Sequence, residues 1–428
     1  MKIKTWVACS PFVVCLLPGV ARADLEPFSF GASETLQHDS NIYRNDAAPR
    51  GDWLSTTELR AALDQAIGRE RILLNGSVDL NRYQHSKPRN STGYTAAAEL
   101  DWSTIGDLSG ALGADARRTQ YIPGESEVLD PVTGDVSLIT QSNLQSTRHV
   151  FARATLGGDS RWQLFTGVDA SRRTYSATAY RGNDERQWSA NAGTNYATGP
   201  DLSFGVVGSY VNGEYPHYTP IGLDPAQAAP DVSSKFTVRS ASFTTKWQAT
   251  GNSAFTAAAG YTTEDSETLS APQHFVNGSV NWIWTPPSRF KVNLGLKRSS
   301  DADTGSTGAN TGAVNVNNLN SSSINNIGLL DVTYELTAKV SLDGLAQYTQ
   351  RKYADLMHFN QSTGVLSDLN GSTRTVRLYL SAHYLPTRTT DVSCGVGRET
   401  RRIDASLSDV ARPYTNTTAE CTASIKFE

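Results

Sequence analysis

The stretch Ile72-Leu73-Leu74-Asn75-Gly76-Ser77-Val78-Asp79-Leu80-Asn81 decides how the rest of the chain is read. Ile72, Leu74, Gly76, Val78 and Leu80 share one parity, and Asn75, Ser77, Asp79 and Asn81 share the other. Successive side chains of a strand point to opposite faces, so this segment has an apolar side and a polar side; a helix would mix the two sets. The pattern returns far along the chain. Phe290, Val292, Leu294 and Leu296 alternate with Arg289, Lys291, Asn293 and Lys297, and Leu378, Leu380, Ala382 and Tyr384 alternate with Arg377, Tyr379, Ser381 and His383.

The connections between such segments alternate as well. Tight turn chemistry at Gly157-Gly158-Asp159, Thr198-Gly199-Pro200-Asp201, Thr250-Gly251-Asn252 and Thr285-Pro286-Pro287-Ser288 is interleaved with longer polar loops over 122–142, 215–235, 300–322 and 355–370. Short turns on one side and long loops on the other are the habit of a transmembrane β-barrel, with the short turns periplasmic and the long loops extracellular. The expected fold is therefore all-β: an antiparallel up-and-down barrel of about 18 strands. Tyr94, Trp102, Trp162, Trp188, Tyr196, Trp247, Trp282 and Trp284 fall near strand ends and are expected to form interfacial girdles. A soluble propeller has a similar repeat length, but it packs four short strands into each blade, and no Trp-Asp signature occurs here.

Composition bounds the reading. The 428 residues are 38% hydrophobic and 19% charged, below the usual globular values of about 45–50% and 25%. Such a chain suits strands with one apolar and one small polar face. Past the amino terminus no run approaches the roughly 20 apolar residues that a spanning helix needs. Residues 1–23 read as a Sec signal peptide, with Lys2 and Lys4, an apolar segment, and Ala21-Arg22-Ala23 as the cleavage site. Lipoprotein processing at Cys9 or Cys15 fits less well, because Val13-Val14 stands where a small residue is expected. Residues 24–428 are then the barrel, placed in the bacterial outer membrane with its lipid as a partner. A net charge of −4 offers no basic field for nucleic acid.

Cleavage leaves Cys394 and Cys421, an even pair in a disulfide-permissive compartment. They lie on the last two predicted strands. With their connection centred near residues 406–407, antiparallel pairing brings them opposite each other to within about a residue, and both share parity with lipid-facing neighbours. A cross-strand disulfide is expected there.

No residue set points to catalysis. Gly158-Asp159-Ser160 is similar to the nucleophile block of GDS-type esterases, but it falls at a short turn, lacks the strand-to-helix elbow that exposes such a serine, and is ordinary turn material. The seven histidines are scattered without metal-ligand spacing. No metal, cofactor or enzymatic step is expected. The Asn-x-Ser/Thr sequences read as loop and strand polarity.

The polar parity supplies the candidate lumen wall: Arg60, Asp79, Tyr83, Glu99, Arg117, Arg153, Arg173, Lys291, Arg351, Arg377, Tyr379, Glu399 and Arg401. Asp115, Asp169, Asp331 and Asp343 join them, and mixed signs imply ion pairs that brace the wall as much as a substrate track. Tyr83, Tyr353 and Tyr379 could stack on sugar rings. Asp39, Asn41, Tyr43 and Arg44, at the outer end of the first strand, suit either a glycan contact or a clasp to the next strand; buried amides and carboxylates usually satisfy neighbouring groups, which favours the clasp. A barrel this wide is not filled by its own wall, so the Pro- and Tyr-rich segment from Tyr215 to Pro230 is expected to fold in as a constriction.

The opening strand, Pro27-Phe28-Ser29-Phe30 through His38-Asp39-Ser40-Asn41-Ile42-Tyr43-Arg44, resembles that of EpsL-type outer-membrane proteins found with exopolysaccharide operons of the exosortase-associated kind. Arg82-Tyr83-Gln84, the stretch from Gly93 to Ser103 and Trp284-Thr285-Pro286-Pro287 are similar to the same family, and the match is strongest over the first quarter of the chain. The resemblance implies an outer-membrane channel or accessory barrel for exopolysaccharide export, with a hydrophilic polysaccharide and periplasmic export or synthesis proteins as partners. A diffusion porin for small hydrophilic solutes and a non-transporting scaffold share the same fold. One departure stands at the end: Phe427, the aromatic that assembly machinery reads, is followed by Glu428.

Overall fold

In the computed structural model, residues 27–121, 128–129, 136–137, 142–158, 160–218, 232–267, 272–300, 322–360, 365–407 and 411–427 are described. Eighteen antiparallel strands form one sheet. They are β1 (Phe28–Asp39), β2 (Asp52–Ile67), β3 (Glu70–Tyr83), β4 (Ser91–Ser103), β5 (Leu108–Gln120), β6 (Leu144–Leu156), β7 (Trp162–Tyr175), β8 (Glu185–Ala197) and β9 (Leu202–Tyr218), then β10 (Val232–Thr250), β11 (Ser253–Ser266), β12 (Gln273–Trp284), β13 (Phe290–Ser300), β14 (Ser322–Thr337), β15 (Val340–Asn360), β16 (Val365–Tyr384), β17 (Thr390–Ile403) and β18 (Tyr414–Phe427). Each pairs with its sequence neighbours, and β1 closes on β18 from Phe30↔Phe427 to Asp39↔Thr418. Closure removes the free edges that an open sheet would expose, so the ladder groups of the wall find partners inside the sheet.

The alternation read from the sequence becomes two surfaces. Outward positions carry Leu59, Leu74, Val78, Val168, Leu296, Leu378 and Leu380, each more than a third exposed. So large an apolar belt is stable against lipid and not against water. The aromatic residues close the belt at each end. On the short-turn side Trp247 stacks on Phe255 at 5.6 Å, Phe255 on Trp282 at 6.1 Å and Trp282 on Trp284 at 6.1 Å, with Trp162 against Tyr196 at 4.7 Å. On the long-loop side Trp188 meets Tyr210 at 5.3 Å. Gly68, in the two-residue β2–β3 turn, adopts φ +65°, the left-handed backbone that a tight hairpin demands and glycine supplies.

Two loop boundaries differ from the sequence expectation. β9 continues to Tyr218 and β10 starts at Val232, and β15 and β16 run to Asn360 and from Val365, so much of 215–235 and 355–370 is ladder and not loop. Turn-forming and polar residues at those ends are carried by cross-strand pairing, which outweighs local propensity. Inside 122–142, Val128–Leu129 pairs with Val136–Ser137 as a small hairpin. The stretches 219–231 and 301–321 lie outside the described residues.

Glu34 breaks the apolar belt. Midway along β1, it shares the outward parity of Phe30 and Leu36 and accepts hydrogen bonds from Ser55 Oγ (2.5 Å) and Thr57 Oγ1 (2.6 Å) on β2. Two hydroxyls compensate a carboxylate in lipid only in part. Glu34→Leu is therefore expected to stabilise the barrel by roughly 1–2 kcal/mol, read as a higher urea midpoint in lipid vesicles; an unchanged or lower midpoint would mean that the carboxylate is fully satisfied.

Candidate functional site

The inward surface is the site. Arg60, Asp79, Tyr83, Glu99, Arg117, Arg153, Arg173, Lys291, Arg351, Arg377, Tyr379, Glu399 and Arg401 all occupy positions of the parity opposite to the apolar belt. They are spread around the circumference and do not converge on one reacting point.

Several of these groups are held by partners in the wall. Arg173 bonds Glu185 across β7 and β8 at 2.9 Å. His149 stands between Asp115 (2.8 Å) and Asp169 (3.6 Å), and Ser189 donates to Asp169 from the next strand. Lys291 bonds Glu335 at 2.6 Å. The Tyr379 hydroxyl donates to Glu420 and the Tyr414 hydroxyl to Glu399, both at 2.6 Å. Three guanidiniums lie over rings: Arg153 on Phe151 at 4.5 Å, Arg351 on Tyr353 at 5.2 Å and Arg401 on Tyr414 at 6.0 Å. Arg377 stands in register with Glu399, and Asp79 accepts from the Asn81 amide at 2.7 Å. Arg60 lies across Gly31, where a Cβ would collide with it. Where it is wired in this way, the wall keeps its shape.

The arc from β10 to β14 is different. Its inward residues are mostly small, hydroxylated or amide-bearing, with Ser242, Thr256, Ser279, Asn281 and Asn293 among those lining a concavity of about 370 Å³. Small side chains set the wall back from the axis here. Ile327, Leu329 and Lys297 also line it. Hydroxyls and amides both donate and accept, so a polyhydroxylated guest can exchange partners along most of this surface, with Lys297 as the inward cation beside it.

At the extracellular mouth, the connection between β1 and β2 folds against the inner side of the wall. Asn41 N–H donates to Asp39 Oδ1 and to Asn416 Oδ1 on β18, each at 2.9 Å, while the Asn41 amide reaches Thr415 O at 3.2 Å. Arg44, at φ +52°, bonds Asp39 at 2.8 Å and approaches Glu399 on β17 at 3.8 Å. Burial opposes the charge on Arg44, but Asp39 first and Glu399 next outweigh it, so the guanidinium holds its proton more tightly than usual. Tyr43 is buried, and the Arg89 guanidinium lies 5.3 Å from its ring and 5.1 Å from that of Tyr83 while donating to Ile42 O at 2.8 Å. The side chains of Asn41 and Arg44 thus tie the end of β1 to the last two strands, while Asp39 stands in register with Asp52 on β2 and Tyr43 packs on Arg89 of the β3–β4 connection. Arg89, Asn416 and Glu420 were not read from the sequence: closure of β1 on β18, which juxtaposes residues about 375 positions apart, gives Asn416 its role, while Arg89 gains its role from Tyr43 and Tyr83 and Glu420 from Tyr379.

Ser160 Oγ donates to Gly157 O at 3.1 Å and to Trp162 O, so the hydroxyl is engaged in the turn between β6 and β7; Asp159 lies outside the described residues. No group of three or more His, Cys, Asp or Glu side chains suited to a metal occurs among the described residues. The constriction expected from Tyr215 to Pro230 falls largely outside the described residues; Tyr215 itself packs inward on Phe236 at 5.3 Å. Cys394 and Cys421 stand directly opposite in the β17–β18 register, Cα atoms 4.1 Å apart and sulfurs bonded, on the outward face between Val392 and Val396. Alkylation of the denatured protein is expected to label neither cysteine until reductant is added; full labelling without reductant would refute the bridge.

No family model matches the sequence, and no curated protein matches it. Among solved structures, the chain is similar to the outer-membrane protein OpdK of Pseudomonas aeruginosa at 11% identity, with a TM-score of 0.48, covering 94% of this chain and 99% of that one. It is similar to the FrpB iron transporter of Neisseria meningitidis at 13% identity and a TM-score of 0.46, covering 87% of this chain but only 62% of that one. The siderophore receptor PirA of Acinetobacter baumannii aligns at 8% identity and a TM-score of 0.45, over 95% and 81% of the two chains. The likeness is one of fold.

Proposed function

We propose that the protein is an outer-membrane channel for export of a hydrophilic exopolysaccharide, without an enzymatic step. The observation that carries this reading is the concavity of β10 to β14, rich in hydroxyls and amides, set into a wall in which several charged groups are held by partners. Sugar hydroxyls cannot cross lipid without losing hydrogen bonds, and a wall of this chemistry replaces the lost water one contact at a time. A barrel of this strand number leaves an aqueous lumen. Direction of travel rests on the resemblance of the opening strand, Asp39-Ser40-Asn41-Ile42-Tyr43-Arg44, to EpsL-type proteins, from which periplasmic synthesis or export proteins follow as partners.

Deletion of the gene tests the reading. The expected result is loss of secreted polysaccharide with retention of polymer or precursor in the cell. Normal secretion combined with lost uptake of a small sugar would replace export with a diffusion porin.

A further inference from the structure

The outward face of the barrel carries a row of cations that the lumen reading leaves unexplained. Arg148 on β6 pairs directly with Arg172 on β7, and Arg172 with Arg186 on β8. The row continues through Glu214 on β9 to Lys235 on β10. All share the parity of the exposed apolar residues Val150, Val168, Trp188 and Val206, so they point away from the lumen. Neighbouring strands are about 4.8 Å apart, and like charges directly opposite each other are destabilising. Three arginines in consecutive register therefore gain from an anion lying across them.

The protein's own acids answer this only in part. Glu214 approaches Arg186 at 3.5 Å, and buried Asp184 lies in the field of Arg172. Arg148 makes no ion pair among the described residues. Arg148, Arg172, Arg186 and Lys235 line one concavity of about 550 Å³ with Val150 and Trp188. Val150 and Trp188 lie two residues further into the membrane than Arg148 and Arg186 on their own strands, and Trp188 meets Tyr210 at the aromatic girdle. The site thus has a cationic upper edge at the extracellular interface and an apolar floor below it.

We infer that this surface binds a phosphate-bearing lipid of the outer leaflet, its headgroup phosphate across Arg148, Arg172 and Arg186 and its acyl chains against Val150, Val168 and Trp188. A free anion would satisfy the arginines but leave the apolar floor unused. A lipid uses both halves. Guanidiniums grip phosphate bidentately and stay charged at any relevant pH, which suits them to this position better than lysine.

The test uses the full-length folded protein in detergent, titrated with bisphosphorylated lipid A and, separately, with the same lipid stripped of its phosphates, bound lipid being counted by native mass spectrometry. The wild type is expected to retain the phosphorylated lipid at least tenfold better than the stripped one. Arg148→Gln, Arg172→Gln and Arg186→Gln together should lower retention toward that of the stripped lipid, at roughly fivefold per arginine. Millimolar inorganic phosphate should not displace the lipid. Equal retention of both lipids by the wild type overturns the inference even if the triple variant fails to fold. Displacement by inorganic phosphate, or a folded triple variant that binds as well as the wild type, overturns it too.

Discussion

Arg44→Ala is expected to lower the stability of the folded barrel by about 3 kcal/mol and to widen its mouth. Arg44 and Asp39 side chains are only 10% and 11% exposed, and removing one partner of a buried pair leaves the other charge without compensation. The Asp39 carboxylate would keep the Asn41 N–H but lose its only cation among the described residues. Glu399 would keep the Tyr414 hydroxyl and lose the same guanidinium. Because Asn41, Arg44 and Arg89 together hold the β1–β2 connection against the inner wall, its release should also raise single-channel conductance. Urea unfolding in lipid vesicles, followed by tryptophan fluorescence, reads the first effect, and planar-bilayer recording reads the second. The double variant with Asp39→Asn should recover part of the stability, since the stranded charge is then gone. Loss below about 1 kcal/mol, or unchanged conductance, would mean that the clasp is ornamental to the mouth.

The second large effect concerns the β10 to β14 wall. Asn281→Leu with Asn293→Leu keeps the branched side-chain shape and removes two groups that can both donate and accept. If each contributes about 1 kcal/mol to glycan contact, binding of a soluble oligosaccharide inside the pore should weaken by roughly tenfold to thirtyfold. Ion conductance should change little, because neither side chain is charged. Duration of current blocks by added dextran measures the loss. Equal block durations in variant and wild type would place glycan contact elsewhere in the lumen.

The wall itself was legible in the sequence, because a period-2 pattern has only one consequence once a face must meet lipid. Ile72 to Asn81 announces β3 with both faces assigned, and the cysteine pair announces the β17–β18 register. The ends of the long strands were not legible. Tyr215 to Tyr218 looks like loop material, yet it pairs with Ser234 and Val232 because a neighbouring ladder is already in place. The outer mouth was readable only as a list of polar residues. Which of them meet depends on tertiary pairing: Asn41 finds Asn416 across the closing seam, and Arg89 finds Tyr43 between neighbouring connections, through contacts that no local pattern encodes. The outward arginine row was equally hidden, since Arg148, Arg172 and Arg186 interrupt apolar parity singly and gain meaning only when three registers align them.

The central claim is an open polar passage that conveys a hydrophilic chain. Purified protein in a planar bilayer, with dextran oligomers of increasing length added to one side, tests it most directly. The account predicts a stable ion-conducting pore whose current is interrupted by dextran, with interruptions that lengthen as the oligomer lengthens; a barrel that conducts no ions, or one whose current is indifferent to dextran of every length, would contradict it.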